Sequence, residues 1–346
     1  MKPAYRNLLL GLCSVIIFFC SAEYISRIIQ ERFNTGNSGN SVFADPWIDR
    51  MLKADCYFAD PVLLFRINPG FEWDRINPQG FRDARIYKKE KDGGIFRIAC
   101  LGDSTTFGSG VKWNNSYPKC LERMLNAGND GGRYEVFNFG VPGYTSFQGL
   151  KLLQSEVIGY QPDVVIMNFA WNDLWSIPAI AKEDKYQRMP AQIIISALGL
   201  LERSAFFRSM EAAIYRFQLW ISRAGRPNSR WHSRVTLEDH RDNYRQMISL
   251  LKKHNMRCLI IIPPAGLIVT PPAGAQMTDP SRYMAYTEST RAVAGDSGVP
   301  IIEPGLTFSQ GQDKYFLEDG FHLTEKGYNS VADSVFAAIY PMLEKQ

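Results

Sequence analysis

A serine at the end of a predicted strand is the first residue whose type and position could do chemistry. Residues 96–101 form an apolar run, Gly102 and Asp103 interrupt it, and Ser104 follows directly. This pattern predicts a buried strand, a tight turn and a hydroxyl displayed at the carboxyl end of the strand. Ligands bind at that end in open parallel sheets. Ser104 is therefore a candidate nucleophile, provided that a base, an orienting acid and oxyanion donors lie nearby.

The Gly-Asp-Ser triplet alone is weak evidence, because the sequence contains it twice. The second copy, at residues 295–297, lies between a helical pattern and a short apolar run. There the three residues are typical of an ordinary turn into a strand. The neighbours of Ser104 must therefore decide whether it is a nucleophile.

Four polar segments lie at or just beyond predicted strand ends, and in a doubly wound sheet such loops gather at one edge. They are residues 102–104, 138–145, 170–173 and 319–322. His322 is the only histidine in such a loop, which makes it the candidate base for Ser104. Asp319 lies three residues earlier and can hold the other imidazole nitrogen, which would fix the tautomer. These residues predict a serine nucleophile that a histidine and an aspartate activate.

The same segments supply candidates for an oxyanion hole, which needs at least two preorganised donors. Gly143 can offer an unobstructed backbone N–H, Asn172 a side-chain amide, and Ser104 its own backbone N–H. Gly140 is a rival to Gly143 for this role. Three neighbouring side chains would form an apolar wall for the substrate: Phe107, Tyr144 and Trp171.

The composition is that of an ordinary globular protein, and it argues against several classes of function. The chain has 346 residues, of which 45% are apolar and 21% charged. That suits one large domain with appendages or two modest domains. A net charge of +4 without a Lys/Arg-rich run argues against a nucleic-acid partner. No metal or cofactor is predicted, because the four histidines lack metal-ligand spacing and no glycine-rich phosphate loop follows a strand.

Four cysteines beyond the N-terminal segment lack the spacing of a disulfide framework. They are Cys56, Cys100, Cys120 and Cys258. Two of them, Cys100 and Cys258, fall in predicted buried strands, which favours reduced thiols in the core.

An apolar run at residues 8–22 predicts either a membrane anchor or a cleaved secretory signal. As a helix the run would be about 22 Å long, which is shorter than the ~30 Å hydrocarbon layer of a bilayer. A secretory signal would be cut near Ala22. An uncleaved anchor would continue to residue 33 through apolar residues at helical spacing. No helix breaker separates the two parts, which favours the anchor, with the folded domain on the outer, extracytoplasmic face of the membrane.

The rest of the chain divides into three predicted regions. They are a polar linker over residues 34–44, an irregular extension over 45–94 that packs on the main domain, and that domain over 95–346. In the main domain five apolar runs alternate with helical patterns. This alternation indicates a parallel sheet that helices cover on both faces.

One stretch of the main domain, about residues 175–234, is too long for a usual connection between elements. It contains two amphipathic helical patterns, at 191–201 and 205–221. The stretch could be a helical hairpin packed on the domain, a lid over the site, or a surface that rests on a membrane.

Together, the four polar segments resemble the characteristic blocks of the SGNH hydrolases, also known as the GDSL esterase/lipase family. The residues that give the family its name have counterparts in the same order, and an aspartate completes its Asp-x-x-His block: Ser104, Gly143, Asn172, His322 and Asp319. The resemblance covers about residues 95–343 and favours Gly143 over Gly140 as the oxyanion glycine. One position departs from the family pattern, because Ala170 stands where a glycine is usual.

The resemblance implies a flavodoxin-like, three-layer α/β/α fold with a five-stranded parallel sheet, and ester hydrolysis through an acyl-enzyme. The leading hypothesis is a membrane-anchored serine esterase that needs no cofactor. Its substrate would be an acylated small molecule or carbohydrate, with acetyl as the first candidate for the acyl group. Two alternatives stay open: acyl transfer to a carbohydrate hydroxyl by the same residues, and a non-catalytic scaffold in the cell envelope.

Overall fold

The computed structural model of the chain describes fourteen stretches of sequence. They are residues 3–33, 51–52, 55–71, 74–127, 133–178, 182–188, 192–201, 204–210, 213–214, 217, 220, 231–266, 280–304 and 314–343. The predicted linker over 34–44 lies outside them. The chain divides into two compact units, the first made of Met1–Ala59, Pro178–Ala181 and Pro190–Arg230, and the second of Asp60–Ile177, Lys182–Met189 and Trp231–Gln346.

Nine strands are assigned along the stretches that the structure describes. They are β1 (Tyr57–Asp60), β2 (Leu64–Ile67), β3 (Phe96–Gly102), β4 (Tyr134–Gly140), β5 (Val164–Asn168), β6 (Ser176–Pro178), β7 (Trp231–Ser233), β8 (Arg257–Ile261) and β9 (Ile301–Ile302). The helices assigned in the same stretches are α1 (Pro3–Phe33), α2 (Ser104–Phe107), α3 (Tyr117–Leu125), α4 (Ser146–Ser155), α5 (Trp171–Leu174), α6 (Gln192–Leu201), α7 (Leu237–Lys253), α8 (Pro280–Ser297) and α9 (Glu325–Leu343).

The second unit is built on a five-stranded sheet in the order β4-β3-β5-β8-β9, and all its strand pairs are parallel. Every residue of β3 and of β5 is buried, as expected for strands that are covered on both faces. The predicted five-stranded parallel sheet is confirmed. Strand β9 is shorter than the apolar run at residues 299–302 that predicts it, since Pro300 has no N–H for a ladder, although its carbonyl still accepts from Ile260 N.

Helices cover both faces of this sheet, which gives three layers. On one face, side chains of α3 and α9 pack with alternate strand residues such as Ile98, Cys100 and Ile166 in one apolar core. On the other face α4 contacts β3, and α7 contacts α4, α8 and β8. Because the strand order reverses at β3, the loops after β3, β4 and β5 meet at a topological switch point.

The cysteines in this core are free thiols, as the sequence favours. Cys100 is fully buried in β3, and burial raises the pKa of its thiol well above the ordinary value. Burial likewise raises the pKa of Cys258, in β8, to about 12. Cys120 is also a buried free thiol, and Cys56 is buried.

The part of the irregular extension that lies in the second unit packs on the sheet at β4. The ring of Tyr87 stacks on Phe137, with ring centroids 4.3 Å apart. Two turns in this extension are alike, because Asn68 accepts from the backbone N–H of Gly70 and Asn77 accepts from that of Gln79. Each is a turn that an asparagine side chain closes on the residue two positions later.

The first unit contains α1, α6 and the helical residues 205–210. The Glu23 carboxylate of α1 accepts from Ser204 Oγ and from the backbone N–H groups of Ala205 and Phe206, at 2.7 to 3.0 Å. It thereby caps the helix that begins at Ala205, since the first N–H groups of a helix have no partner within it.

The sequence predicts a membrane anchor in the N-terminal segment, and the structure does not support a span there. Along the described part of the chain, no helix combines the length and the apolar character that crossing a membrane requires. The predicted location of the protein stays a prediction.

Candidate active site

Ser104 is the first residue of α2, and only Asp103 separates it from the end of β3, as the sequence predicts. Gly102 allows this sharp passage, because a Cβ there would lie 2.8 Å from the carbonyl oxygen of Asn168. Asp103 caps α2: its Oδ1 accepts from both the backbone N–H and the hydroxyl of Thr105, each at 2.8 Å. The turn therefore holds Ser104 at the carboxyl edge of the sheet.

The structure brings together the three residues predicted as nucleophile, base and orienting acid. His322 Nε2 lies 2.8 Å from Ser104 Oγ, and His322 Nδ1 lies 2.7 Å from Asp319 Oδ2. Asp319 Oδ1 accepts from the backbone N–H groups of Phe321 and His322, at 3.1 and 2.9 Å. The segment 319–322 is thus folded back on its own carboxylate.

The surroundings of Asp319 favour the charged form of its carboxyl group. Partial burial alone would raise its pKa, but hydrogen bonds from the His322 ring and from two backbone N–H groups outweigh this effect, and the pKa is lowered. An ionised Asp319 can only accept, so Nδ1 of His322 carries the proton of the neutral imidazole. Its Nε2 is then free to accept from the Ser104 hydroxyl.

The loop after β4 forms a β-turn over residues 141–144, closed by a 3.1 Å hydrogen bond from Tyr144 N to Val141 O. Pro142 and Gly143 are its central residues, and Gly143 has a φ of +86°. A proline followed by a residue with positive φ defines a type II turn, which favours glycine at the third position. The backbone N–H of Gly143 has no acceptor within the described stretches.

Gly140, the rival candidate, has a different role. Its N–H donates to Asn138 Oδ1 at 2.9 Å and is not available to an oxyanion. A Cβ at Gly140 would lie 2.2 Å from the backbone nitrogen of Phe107. Gly140 therefore lets β4 approach α2 closely, which leaves Gly143 as the better placed donor.

The Asn172 side chain joins the loops after three strands. Its Nδ2 donates to Asp103 Oδ2 at 3.2 Å and to the carbonyl of Tyr144 at 3.1 Å. Ala170, which replaces the glycine of the family pattern, has a φ of −175°. This is extended backbone that alanine adopts freely, so the substitution causes no strain in the loop.

The three side chains predicted as an apolar wall are all buried, with exposed fractions of 4% for Phe107, 1% for Tyr144 and 5% for Trp171. The Tyr144 hydroxyl donates to Phe65 O at 2.8 Å, and the Phe107 ring lies under the Arg82 guanidinium at 4.4 Å. Burial of this kind fits packing better than substrate contact for Phe107 and Tyr144.

Trp171 differs from them, because it belongs to an aromatic group beside the histidine. Its ring stacks on Tyr283 at 4.8 Å and lies 5.8 Å from Phe321, whose own ring is 4.3 Å from His322. Tyr283 and Phe321 are partly exposed. Sequence reasoning missed both, although Phe321 lies within the 319–322 segment.

The sequence leaves two interpretations of Arg82, a surface ion pair and a contact with an anionic or carbonyl group near Ser104. Its guanidinium is buried and donates to the carbonyls of Phe107, Gly108 and Val111 at 2.9, 2.6 and 2.6 Å. It therefore fixes the end of α2, three to four residues after Ser104.

The polar residues around His240 in the sequence predict a surface position, but the structure buries its side chain fully. Its Nδ1 lies 2.5 Å from Asp173 Oδ2, and its Nε2 lies 2.8 Å from Thr290 Oγ1. Asp173 Oδ1 accepts from Ser146 N at 2.7 Å. This group ties the segment of Asn172 to the start of α4, directly after the turn of Gly143.

We expect Asp103 to make the stability of the protein depend on pH. Burial raises the pKa of its carboxyl to about 6, although hydrogen bonds from Thr105 and the charge of His322 act in the opposite direction. Between pH 4 and 6 the folded protein keeps a proton that the unfolded chain has lost, so stability falls as the pH rises through about 6. A shift of about two pKa units corresponds to about 3 kcal/mol.

The measurement is the free energy of unfolding of the wild type and of Asp103→Asn, by urea titration at pH 4 and pH 7. The variant has no charge to bury, so its stability relative to the wild type should increase by about 2 kcal/mol between the two pH values, since the unfolded carboxyl is already partly ionised at pH 4. Asp296→Asn, at an exposed position of the second Gly-Asp-Ser copy, is the control. A difference between Asp103→Asn and wild type that is independent of pH would contradict the expectation.

Comparison with known proteins gives one family match. The profile of the GDSL-like Lipase/Acylhydrolase family matches residues 100–329. These residues run from Cys100 in β3 to the first turn of α9, and they include Ser104, Gly143, Asn172, Asp319 and His322. No curated protein matches the chain.

Several solved structures are similar to the chain. The lipase/acylhydrolase from Enterococcus faecalis is 19% identical, with a TM-score of 0.46, over 71% of this chain and 95% of its own. An acetyl xylan esterase is 17% identical, with a TM-score of 0.46, over 70% of this chain and 100% of its own. A psychrotrophic esterase from Pseudoalteromonas sp. is 16% identical, with a TM-score of 0.45, over 72% of this chain and 98% of its own.

Family membership rests on the profile match, which spans more than half of the chain and contains all five residues that the sequence pattern singled out. The protein belongs to the GDSL-like lipase/acylhydrolase family, and it is an SGNH-type ester hydrolase.

Proposed function

We propose that the protein hydrolyses acyl esters through an acyl-enzyme on Ser104. The observation that carries the proposal is the hydrogen-bonded chain from Ser104 Oγ through His322 to Asp319, at 2.8 and 2.7 Å. A nucleophile, a base within hydrogen-bond reach and a third group that orients the base are the signature of nucleophilic catalysis.

In the first half of the reaction, His322 Nε2 takes the hydroxyl proton while Ser104 Oγ forms a bond to the ester carbonyl carbon. The tetrahedral intermediate collapses when the bond to the leaving alcohol breaks, and His322 returns its proton to that oxygen. In the second half, His322 takes a proton from a water molecule while the water oxygen forms a bond to the acyl carbon. The bond between that carbon and Ser104 Oγ then breaks, His322 returns the proton to Oγ, and the acid leaves. Asp319 stays ionised and stabilises the imidazolium that forms twice.

The developing oxyanion needs donors aimed at its position. The N–H groups of Ser104 and Gly143 are suited to this role, because neither has an acceptor in the part of the chain that the structure describes. The Asn172 amide lies between their loops, with its two hydrogens directed to Asp103 and to the carbonyl of Tyr144. It becomes the third donor when one of these hydrogens turns to the oxyanion.

The substrate class within this proposal is an acylated small molecule or carbohydrate, with acetyl as the first acyl group to test. The decisive experiment treats the protein with a fluorophosphonate probe and identifies the modified residue by mass spectrometry. We expect a stoichiometric adduct on Ser104, because the phosphorus reacts with the activated hydroxyl. A well-folded protein without an adduct, or with an adduct elsewhere, would defeat the proposal.

A panel of p-nitrophenyl esters with acyl chains of two to eight carbons then measures chain-length preference. The same acyl-enzyme would serve transfer to a carbohydrate hydroxyl. Adding a sugar acceptor to the acetyl ester and quantifying acylated sugar against free acetate separates the two outcomes. Hydrolysis alone at saturating acceptor would rule transfer out.

A further inference from the structure

A buried ion pair lies on the segments that flank residues 190–230 in the sequence. The side chains of Asp184 and Arg234 have exposed fractions of 0% and 1%. Arg234 Nη2 lies 2.9 Å from Asp184 Oδ2, and Arg234 Nε lies 3.2 Å from Asp184 Oδ1. The backbone N–H of Asp184 also donates to Arg234 O at 3.0 Å. The guanidinium therefore meets the carboxylate with two parallel hydrogen bonds, which fixes the relative orientation of the two groups.

Both members of the pair bind the loop that carries Gly143. Arg234 Nη1 donates to the carbonyl of Gly143 at 2.9 Å. Asp184 Oδ2 accepts from the Thr145 hydroxyl at 2.9 Å. The carboxyl side of the type II turn is thus attached to the buried pair of Asp184 and Arg234.

The amino side of the same turn is attached to the sheet, because Val141 N donates to the carbonyl of Gly102 at 3.1 Å. The peptide between Pro142 and Gly143 lies between these two attachments. Its N–H is the donor proposed for the oxyanion. If the attachment at Gly143 O is lost, Val141 and Tyr144 are still held on either side of the turn, but the hydrogen bond to Gly143 itself is gone, and the direction of its N–H is less restrained.

Stability alone does not account for the pair. Replacing a buried ion pair by apolar side chains of similar volume often leaves a protein equally stable or more stable. What apolar side chains cannot reproduce is a directional hydrogen bond to a carbonyl from a planar group that is itself held by a carboxylate. The contact of the pair with the oxyanion loop is the feature that requires these residue types.

We propose that Arg234 is a positioning residue for the oxyanion hole, and that its buried pair with Asp184 holds the Gly143 turn in the orientation that catalysis needs. This inference rests on the proposed ester hydrolysis at Ser104. Oxyanion donors act more strongly in the transition state than in the ground state. Loss of the brace should therefore lower kcat and leave KM nearly unchanged.

The experiment compares Arg234→Met with Arg97→Met. Arg97 is a matched control, because it is equally buried at 2% exposure and pairs with Glu135 at 2.8 Å, but it lies at the start of β3, away from the loops of the site. With p-nitrophenyl acetate, we expect Arg234→Met to lower kcat by about 10- to 100-fold. KM should change less than about threefold. The folded fraction of Arg97→Met should keep the kcat of the wild type.

A second variant covers the case in which Arg234→Met does not fold. Arg234→Lys keeps the charge but not the planar fork, so we expect a smaller loss in kcat, again without a matching change in KM. The rate of fluorophosphonate labelling, which also places an anionic oxygen in the hole, should fall in parallel with kcat.

Equal losses of kcat in Arg97→Met and Arg234→Met would overturn the proposal, and so would a kcat within twofold of the wild type in a folded Arg234 variant. Failure of the underlying reaction is recognised separately. In that case the wild type itself shows no turnover that depends on Ser104.

Discussion

Replacing Ser104 with alanine is expected to lower kcat for p-nitrophenyl acetate by at least about 10⁴-fold. The variant keeps the oxyanion donors and the histidine, but it has no atom that can form the acyl bond. Only the slow attack of water on a bound ester remains. The measurement is steady-state hydrolysis together with the pre-steady-state burst, and both the burst and fluorophosphonate labelling should disappear.

The second Gly-Asp-Ser copy provides a control of the same composition. Ser297→Ala removes the hydroxyl of this copy, which lies at the end of α8. It should retain the kcat of the wild type. Hydrolysis that survives in Ser104→Ala, or that is lost in Ser297→Ala, would contradict the assignment of the nucleophile.

Replacing Asp319 with asparagine is expected to lower kcat by about 10⁴-fold, through the wrong tautomer of the histidine. In the native protein, Oδ1 accepts from the backbone N–H groups of Phe321 and His322. These donors would hold the amide oxygen of the asparagine at the same place. The amide NH₂ would then face His322 Nδ1 and donate to it. His322 would carry its proton on Nε2, where it could no longer accept from Ser104.

The measurement is kcat at pH 7 to 8 combined with the thermal midpoint of unfolding. The fold should persist, because the backbone hydrogen bonds to the side-chain oxygen are retained. Asp296→Asn applies the same change to an exposed residue and should leave kcat unaltered. A variant of Asp319 with more than about one tenth of the native kcat would show that the carboxylate does not orient the base.

The order of apolar runs and strand-end residues was sufficient to predict the sheet and the residues around Ser104. A parallel sheet gathers its strand ends at one edge whatever the details of packing. For this reason the separation of 218 positions between Ser104 and His322 did not obscure their proximity. The prediction rested on two kinds of information. Local signals, such as the strand break at Gly102 and the Asp-x-x-His segment, marked the residues, and the rule that parallel strands end at one edge of the sheet brought them together.

The burial of polar side chains through long-range hydrogen bonds could not be predicted in the same way. His240 binds a carboxylate 67 residues away, and Arg234 binds a carbonyl 91 residues away. In the sequence each stands among polar neighbours that favour a surface position. Each side chain is buried by contacts with distant parts of the chain. Neither the periodicity nor the spacing of residues in the sequence indicates such contacts.

A charged residue of the N-terminal segment, Glu23, shows the same limit of the sequence. Glu23 interrupts the apolar pattern, and in the sequence it is simply a charge beyond the run. In the structure it caps the helix that begins at Ala205, 182 residues away. The residues around Glu23 in the sequence give no sign of this long-range contact.

The separation of the catalytic residues also has a consequence for biosynthesis. Ser104 is translated early. His322, its proposed base, lies between β9 and α9 and is translated after all five strands of the sheet. During translation the amino-terminal part of a domain emerges first. Under the proposed mechanism the Ser104 hydroxyl therefore lacks its base until the segment of His322 has been made and has docked, and fluorophosphonate labelling of a nascent chain would report that step.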